Sequence, residues 1–168
     1  MKAQYGLILL LFLFVNYGFA EGHEKENEHF LMNEISLFIG GTSYIDHQGN
    51  YFSPGIDYAR RLSEHVLLGV WAEAILAEHT EWTIGIPVYL TYNHFWVRLA
   101  PGIELVKEEV ESEHSAEPEI ESKTEFLIRT GLGYTFHLGN VLLSPGCDVD
   151  FVRSTVALVY GLNIGYGF

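Results

Sequence analysis

From Glu34 to Phe168, apolar residues return at every second position in stretch after stretch, a period that admits β-strands and excludes helices. The clearest case runs from Glu81 to Tyr92, where Trp82, Ile84, Ile86, Val88, Leu90 and Tyr92 share one face and Thr83, Gly85, Pro87, Tyr89 and Thr91 the other. Phe95, Val97, Leu99, Ile103 and Leu105 likewise oppose Trp96, Arg98, Ala100, Gly102 and Glu104. Phe126, Ile128, Leu132, Tyr134 and Phe136 oppose Arg129, Gly131, Gly133, Thr135 and His137. The last stretch sets Val156, Leu158, Tyr160, Leu162, Ile164, Tyr166 and Phe168 against Ala157, Gly161, Asn163, Gly165 and Gly167. Weaker versions cover 34–42, 52–62, 66–76 and 141–151, which makes eight stretches in all. Strands of about 9–11 residues match the length that crosses a bilayer at a tilt.

Alternation alone does not say whether water or lipid lies outside. The minority face decides. A soluble barrel turns its apolar face inward and carries lysine and glutamate outside, whereas here the minority face is Gly, Ala, Ser and Thr with scattered charges. Such a face suits a narrow lumen. The expected fold is an all-β, eight-stranded antiparallel up-and-down transmembrane β-barrel over residues 34–168. A soluble periplasmic, lipocalin-like carrier with the apolar face enclosing a ligand is the alternative, and a lipid-modifying outer-membrane enzyme a less favoured one.

Connection lengths point the same way. The joins around LSEH, NH and LGN are very short, while SYIDHQGNY and Val106 to Lys123 are long, as in barrels with short periplasmic turns and long outer loops. Ala77 to Thr80 and Val152 to Ser154 are short joins on the outer side, so the rule is partly obeyed. This topology gathers Tyr58, Tyr92, Phe95, Phe136, Tyr166 and Phe168 at one rim, and Phe52, Trp82, Phe126 and Phe151 at the other. Two aromatic girdles are what a barrel needs at the two membrane interfaces.

The N-terminal residues 1–20 carry Lys2, the apolar run Gly6 to Val15 and small Gly18 and Ala20, which reads as a secretory signal cut after Ala20. The run is about half of what a spanning helix needs. An acidic, histidine-containing tail follows over residues 21–33. The full chain has 22 acidic and 9 basic side chains, a net charge of −13, so nucleic acid is excluded as a partner. Cys147 stands alone, and no intramolecular disulfide forms.

The closing segment VALVYGLNIGYGF, ending in Phe168, resembles the C-terminal strand of the bacterial outer-membrane β-barrel superfamily. That resemblance implies a Gram-negative cell envelope, the outer membrane as location, and outer-membrane lipid and lipopolysaccharide as surroundings. It also implies that Tyr166 and Phe168 belong to the signal read by the barrel-assembly machinery. Members of this size include structural, adhesion and resistance proteins and a few lipid-modifying enzymes, so function does not follow from fold.

The inward parity collects Asp57, Arg61, Glu73, Arg98, Glu104, Arg129, Asp148 and Asp150. Isolated charges in so narrow a tube are costly, so these groups are expected to pair, centred on Arg98 and Arg129 with Glu73, Glu104, Asp148 or Asp150 as partners, and to close the lumen. The glutamate-rich segment Lys107 to Glu125 resists packing and is expected to form an acidic surface loop bounded at 106–123. His114 with Glu111 and Glu113, and His23 with His29 in the tail, are weak candidates for divalent cations, without fixed ligand spacing. Ser63 with His65, and Ser112 and Ser115 with His114, belong to no catalytic motif, so no catalytic residue and no cofactor are assigned.

Overall fold

The computed structural model describes residues 32–45, 49–110, 119–153 and 155–168. The signal segment, most of the tail and the metal candidates His23, His29, Glu111, Glu113 and His114 lie outside these residues, as do Ser112 and Ser115. The strands are β1 (Asn33–Tyr44), β2 (Gly49–Ser63), β3 (Val66–Ile75), β4 (Glu81–Gly85), β5 (Val88–Tyr92), β6 (Phe95–Val110), β7 (Glu119–Tyr134), β8 (Phe136–Leu138), β9 (Val141–Val152) and β10 (Thr155–Gly167).

These ten segments make eight staves. β4 and β5 form one stave, interrupted where Pro87 has no N–H to give to the ladder. Around that break, Ile86 N–H donates to the Pro101 carbonyl at 3.0 Å and the Pro87 carbonyl accepts from Gly69 at 2.9 Å. β7 and β8 form another stave, parted at Thr135, whose N–H turns to the His94 carbonyl at 2.7 Å. All pairings are antiparallel, and β10 bonds to both β9 and β1, so the sheet closes. The structure is a closed, eight-stranded antiparallel barrel.

The alternation turns outward as a transmembrane barrel requires. Leu37, Leu99, Phe126 and Leu132 are each more than half exposed, whereas Arg129, Glu73, Asp148 and Asp150 are buried. This geometry overturns the lipocalin-like alternative, which needed the apolar face inside. Tyr58, Tyr92, Phe95, Phe136, Tyr166 and Phe168 are exposed near the end that carries the tight turns, and Phe52, Trp82, Phe126 and Phe151 are exposed toward the opposite end. At the tight-turn end, residues 64–65, 93–94 and 139–140 join neighbouring staves, with Asn93 (φ 52°) and Gly139 (φ 64°) in the left-handed region that two-residue hairpins demand. Cys147 sits on β9 facing outward.

Two boundaries differ from the sequence reading. Asn33 belongs to β1 rather than to the tail, held by mutual N–H to carbonyl bonds with Phe168 at 2.8 Å. The ladder of β6 and β7 also continues from Val106↔Lys123 to Val110↔Glu119, so both flanks of the expected loop 106–123 are strands. A period of two shows in sequence only when one face is buried. Here glutamate and lysine fill most of these positions, and the backbone pairs without an apolar alternation in the sequence.

Candidate functional site

The interior of the barrel is where this chain concentrates its chemistry. Arg98 on β6 and Arg129 on β7 are both buried. Arg98 Nε and Nη2 donate to Asp148 Oδ1 and Oδ2, each at 2.5 Å, a two-pronged contact from a planar donor to a planar acceptor. Its Nη1 donates to the Tyr89 hydroxyl at 3.3 Å and lies 3.8 Å from Asp57 Oδ2. Tyr89 in turn donates to Asp57 Oδ2 at 2.6 Å. Arg129 repeats the motif: Nε and Nη2 donate to Asp150 Oδ1 and Oδ2 at 2.6 and 2.7 Å, and Nη1 to Glu73 Oε2 at 2.6 Å.

Register explains why these partners meet. Arg129 and Asp150 face one another directly across β7 and β9. Arg98 is one stave further away from Asp148, and the residue paired to both is Gly131. A Cβ at Gly131 would overlap the Asp148 carboxylate, so the glycine clears the path between acid and base. Large rings complete the packing. The Arg129 guanidinium stands 5.1 Å from the Trp71 ring centroid, and that of Arg98 stands 5.7 Å from Trp96. Trp71 in turn packs over Gly85 and Gly102, and Trp96 over Gly133 and Gly146.

Glu104 does not join an arginine. It lies 3.3 Å from the Tyr44 hydroxyl, which donates at 2.6 Å to Glu81. The reason is height along the wall: Glu104 pairs in register with Thr83 and Glu125, and Arg129 is already taken by Asp150 and Glu73. Arg61 sits at the tight-turn mouth, bridging to Glu34 at 3.3 Å and donating to the Glu64 carbonyl at 3.1 Å. Between the two arginine layers lies a cavity of about 10 Å³, roughly the size of one water. A vestibule of about 80 Å³ opens at the tight-turn end, lined by Glu34, Arg61, Tyr89, His94, Trp96 and His137.

Several of these groups escaped the sequence reading. Glu34, Tyr44, Tyr89 and Glu81 carry hydrogen bonds to the charged set, and Trp71 and Phe38 fill the lumen from the staves with the weakest alternation. The signal available was the run of glycines on inward parity, since an interior glycine in a strand marks a place where a neighbour's bulk must fit. Ser63 ends β2 and His65 lies in the following turn, its ring tilted against Tyr92 with centroids 6.5 Å apart. Among the described residues no group of three or more His, Cys, Asp and Glu is arranged to hold a metal ion.

The barrel fold has solved counterparts. The N-terminal β-barrel domain of Pseudomonas aeruginosa OprF is similar over 82% of this chain and 98% of that one, with a TM-score of 0.55 at 14% identity. The fold is that of the small outer-membrane β-barrels. Ail, the attachment invasion locus protein of Yersinia pestis, matches over 82% of this chain and 97% of its own with a TM-score of 0.58 at 11% identity. Neisserial surface protein A matches over 81% of this chain and 96% of its own, with a TM-score of 0.51 at 15% identity. No protein-family model and no curated protein matches the sequence.

Proposed function

We propose that this chain is an integral outer-membrane barrel with a sealed lumen, acting as a structural or surface-interaction protein rather than an enzyme or a pore. The observation that carries the reading is the pair of arginine layers, which leave about 10 Å³ between them and tie four carboxylates into the wall. A path for solute would need those contacts to open, and separating a buried guanidinium from its carboxylates is costly. In planar bilayers the wild-type protein gives no stable open channel. A large steady conductance would overturn the sealed lumen.

The interaction surface in this reading is the β6–β7 hairpin, whose flanks pair beyond the staves on either side. β6 last bonds β4 at Leu105 and β7 first bonds β9 at Leu127, so the ribbon above has two open edges among the described residues. Its sequence is dominated by glutamate. One structure of Ail holds the heparin analogue sucrose octasulfate, a polyanion. The charge of this hairpin favours a cationic partner instead, with divalent cations as another occupant of its glutamates.

Assembly is the other part of the proposal. Tyr166 and Phe168 stack at the end of the closing strand with centroids 6.5 Å apart, and Phe168 clasps Asn33 through two backbone bonds of 2.8 Å. Deleting Phe168 lowers the heat-modifiable, folded form on semi-native gels. Unchanged folding and localisation of the truncated chain would overturn a role for this residue in the assembly signal.

A further inference from the structure

The cavity of about 10 Å³ between the two arginine layers lies against β2 and β3, where Gly55 faces Glu73 and Asp57 faces Trp71 across the ladder. Gly55 brings no side chain to the lumen, and it is one of the residues that line the cavity. Trp71 is another. It is 4% exposed, and among the described residues its indole N–H has no hydrogen-bond partner. Its benzo edge is lodged over Gly85 and Gly102, where a Cβ would overlap it, so the ring is held in place on the β4 and β6 side. A buried indole N–H ordinarily finds an acceptor, because leaving it bare is costly. The arginines enlarge this surplus of donors. A guanidinium has five N–H groups. Arg98 gives three of them to Asp148 and Tyr89, and Arg129 gives three to Asp150 and Glu73. Acceptor capacity stands nearby: Asp57 takes the Tyr89 hydroxyl at Oδ2, which leaves Oδ1, and Glu73 Oε1 takes a long bond of 3.4 Å from Thr42.

An occupant that joins these groups must accept from Trp71 and donate to a carboxylate. A cation cannot accept. An anion can, but the carboxylates of Asp57, Glu73, Asp148 and Asp150 already outnumber Arg98 and Arg129, and a further negative charge among them is repelled. A neutral water does both, and the volume suits one. We propose that this cavity binds a single resident water, which accepts from the Trp71 indole N–H and donates toward Asp57 and Glu73, so that it ties the Arg98 layer to the Arg129 layer. The proposal rests on the sealed-lumen reading, because a water in an open pore would not stay. Asp57 and Asn163 line both this cavity and the vestibule, which gives the site a polar way in from the tight-turn end.

The test is nuclear magnetic resonance on the full mature chain, labelled with nitrogen-15 and refolded into lipid nanodiscs. The chain has 3 tryptophans, and the indole signal of Trp71 is the one missing from Trp71→Phe. In wild type the Trp71 N–H shows a cross-peak at the water frequency that changes sign between laboratory-frame and rotating-frame Overhauser spectra, the mark of a water that stays and not of proton exchange. Gly55→Ala, whose added Cβ comes to 2.9 Å from the Ala72 carbonyl oxygen, puts a methyl at the cavity and loses that cross-peak. Should Gly55→Ala fail to fold, the wild-type cross-peak and its sign decide. Replacing chloride by sulfate in the buffer leaves the Trp71 signal in place. The resident water is overturned, with the sealed lumen intact, by a Trp71 N–H that shows no water cross-peak, by a cross-peak that persists in folded Gly55→Ala and so comes from a neighbouring hydroxyl, or by a signal that moves with the anion. Rapid exchange of the Trp71 N–H with bulk water, together with a steady conductance in planar bilayers, overturns both.

Discussion

The middle of the barrel and the hairpin above it carry charge under opposite rules. In the middle, Arg98 and Arg129 are buried, and their forked contacts reach Asp148, Asp150 and Glu73 within 2.7 Å. In the hairpin, strands that pair from Val106↔Lys123 to Val110↔Glu119 carry glutamate after glutamate with few cations. Where water is excluded, each arginine is matched to carboxylates by geometry. Like charges accumulate at small cost only where water and salt screen them, which is the condition the glutamate run requires. The same acidic chain thus ties carboxylates to arginines inside the barrel and gathers glutamate in the hairpin sequence.

The sharpest way to break that comparison is to remove one arginine. Arg129→Ala leaves Asp150 and Glu73 facing each other in a poorly solvated interior, a loss on the order of 3–5 kcal/mol. Arg98→Ala has the same sign, and strands Asp148 and Asp57. Each variant lowers the unfolding midpoint in urea of the refolded barrel. An Arg129→Ala barrel as stable as its parent would mean that the plug is hydrated, and the contrast with the hairpin would dissolve.

A smaller effect, about 1–3 kcal/mol, is expected from Gly131→Ala, because the added methyl meets the Asp148 carboxylate and forces the Arg98 fork apart. The same substitution at Gly139, where nothing lies within 4 Å, tests backbone conformation alone, at φ 64°. Urea midpoints of the two variants separate steric obstruction of the plug from turn strain.

How far the sequence spoke for itself follows the same division. The staves and their two faces are readable because burial on one side stamps a period of two on the chain, and the two-residue turns are marked by Asn93 and Gly139. Who meets whom in the lumen is not readable. Glu73 on β3 reaches Arg129 on β7 across the tube, a contact set by the tilt and stagger of the closed sheet and not by any local pattern. Glu104 shows the limit: its parity is that of Arg98, yet its height delivers it to Tyr44. The hairpin flanks were missed for the opposite reason, since their run of glutamates carries no apolar alternation to read.

Glu104 also supplies a finer test. No arginine faces it, while Glu81 shares its Tyr44 partner. Glu104→Gln therefore removes a charge without breaking a fork, and the urea midpoint stays within about 1 kcal/mol of the parent or rises. A large loss would show that this carboxylate is tied into the plug through water, and the boundary between plug and mouth would move outward by one layer.

The smallest effect is expected at the hairpin tip. A short epitope inserted beside Ala116 adds residues between flanks that already pair, and lengthening a connection costs little in chain entropy, about 0.6 kcal/mol for each doubling. Folding and heat-modifiability stay as in the parent. On intact cells an antibody reaches the epitope, and a glutamate-specific protease cuts between Glu111 and Pro118 faster than within the paired flanks, because a ladder must open before a protease can hold its backbone. Equal cutting rates along Lys107 to Lys123 would mean that the flanks pair only transiently. An epitope reached only after the cells are broken would place the tight-turn end outside, and with it the vestibule of His94 and His137 would become the surface that partners meet.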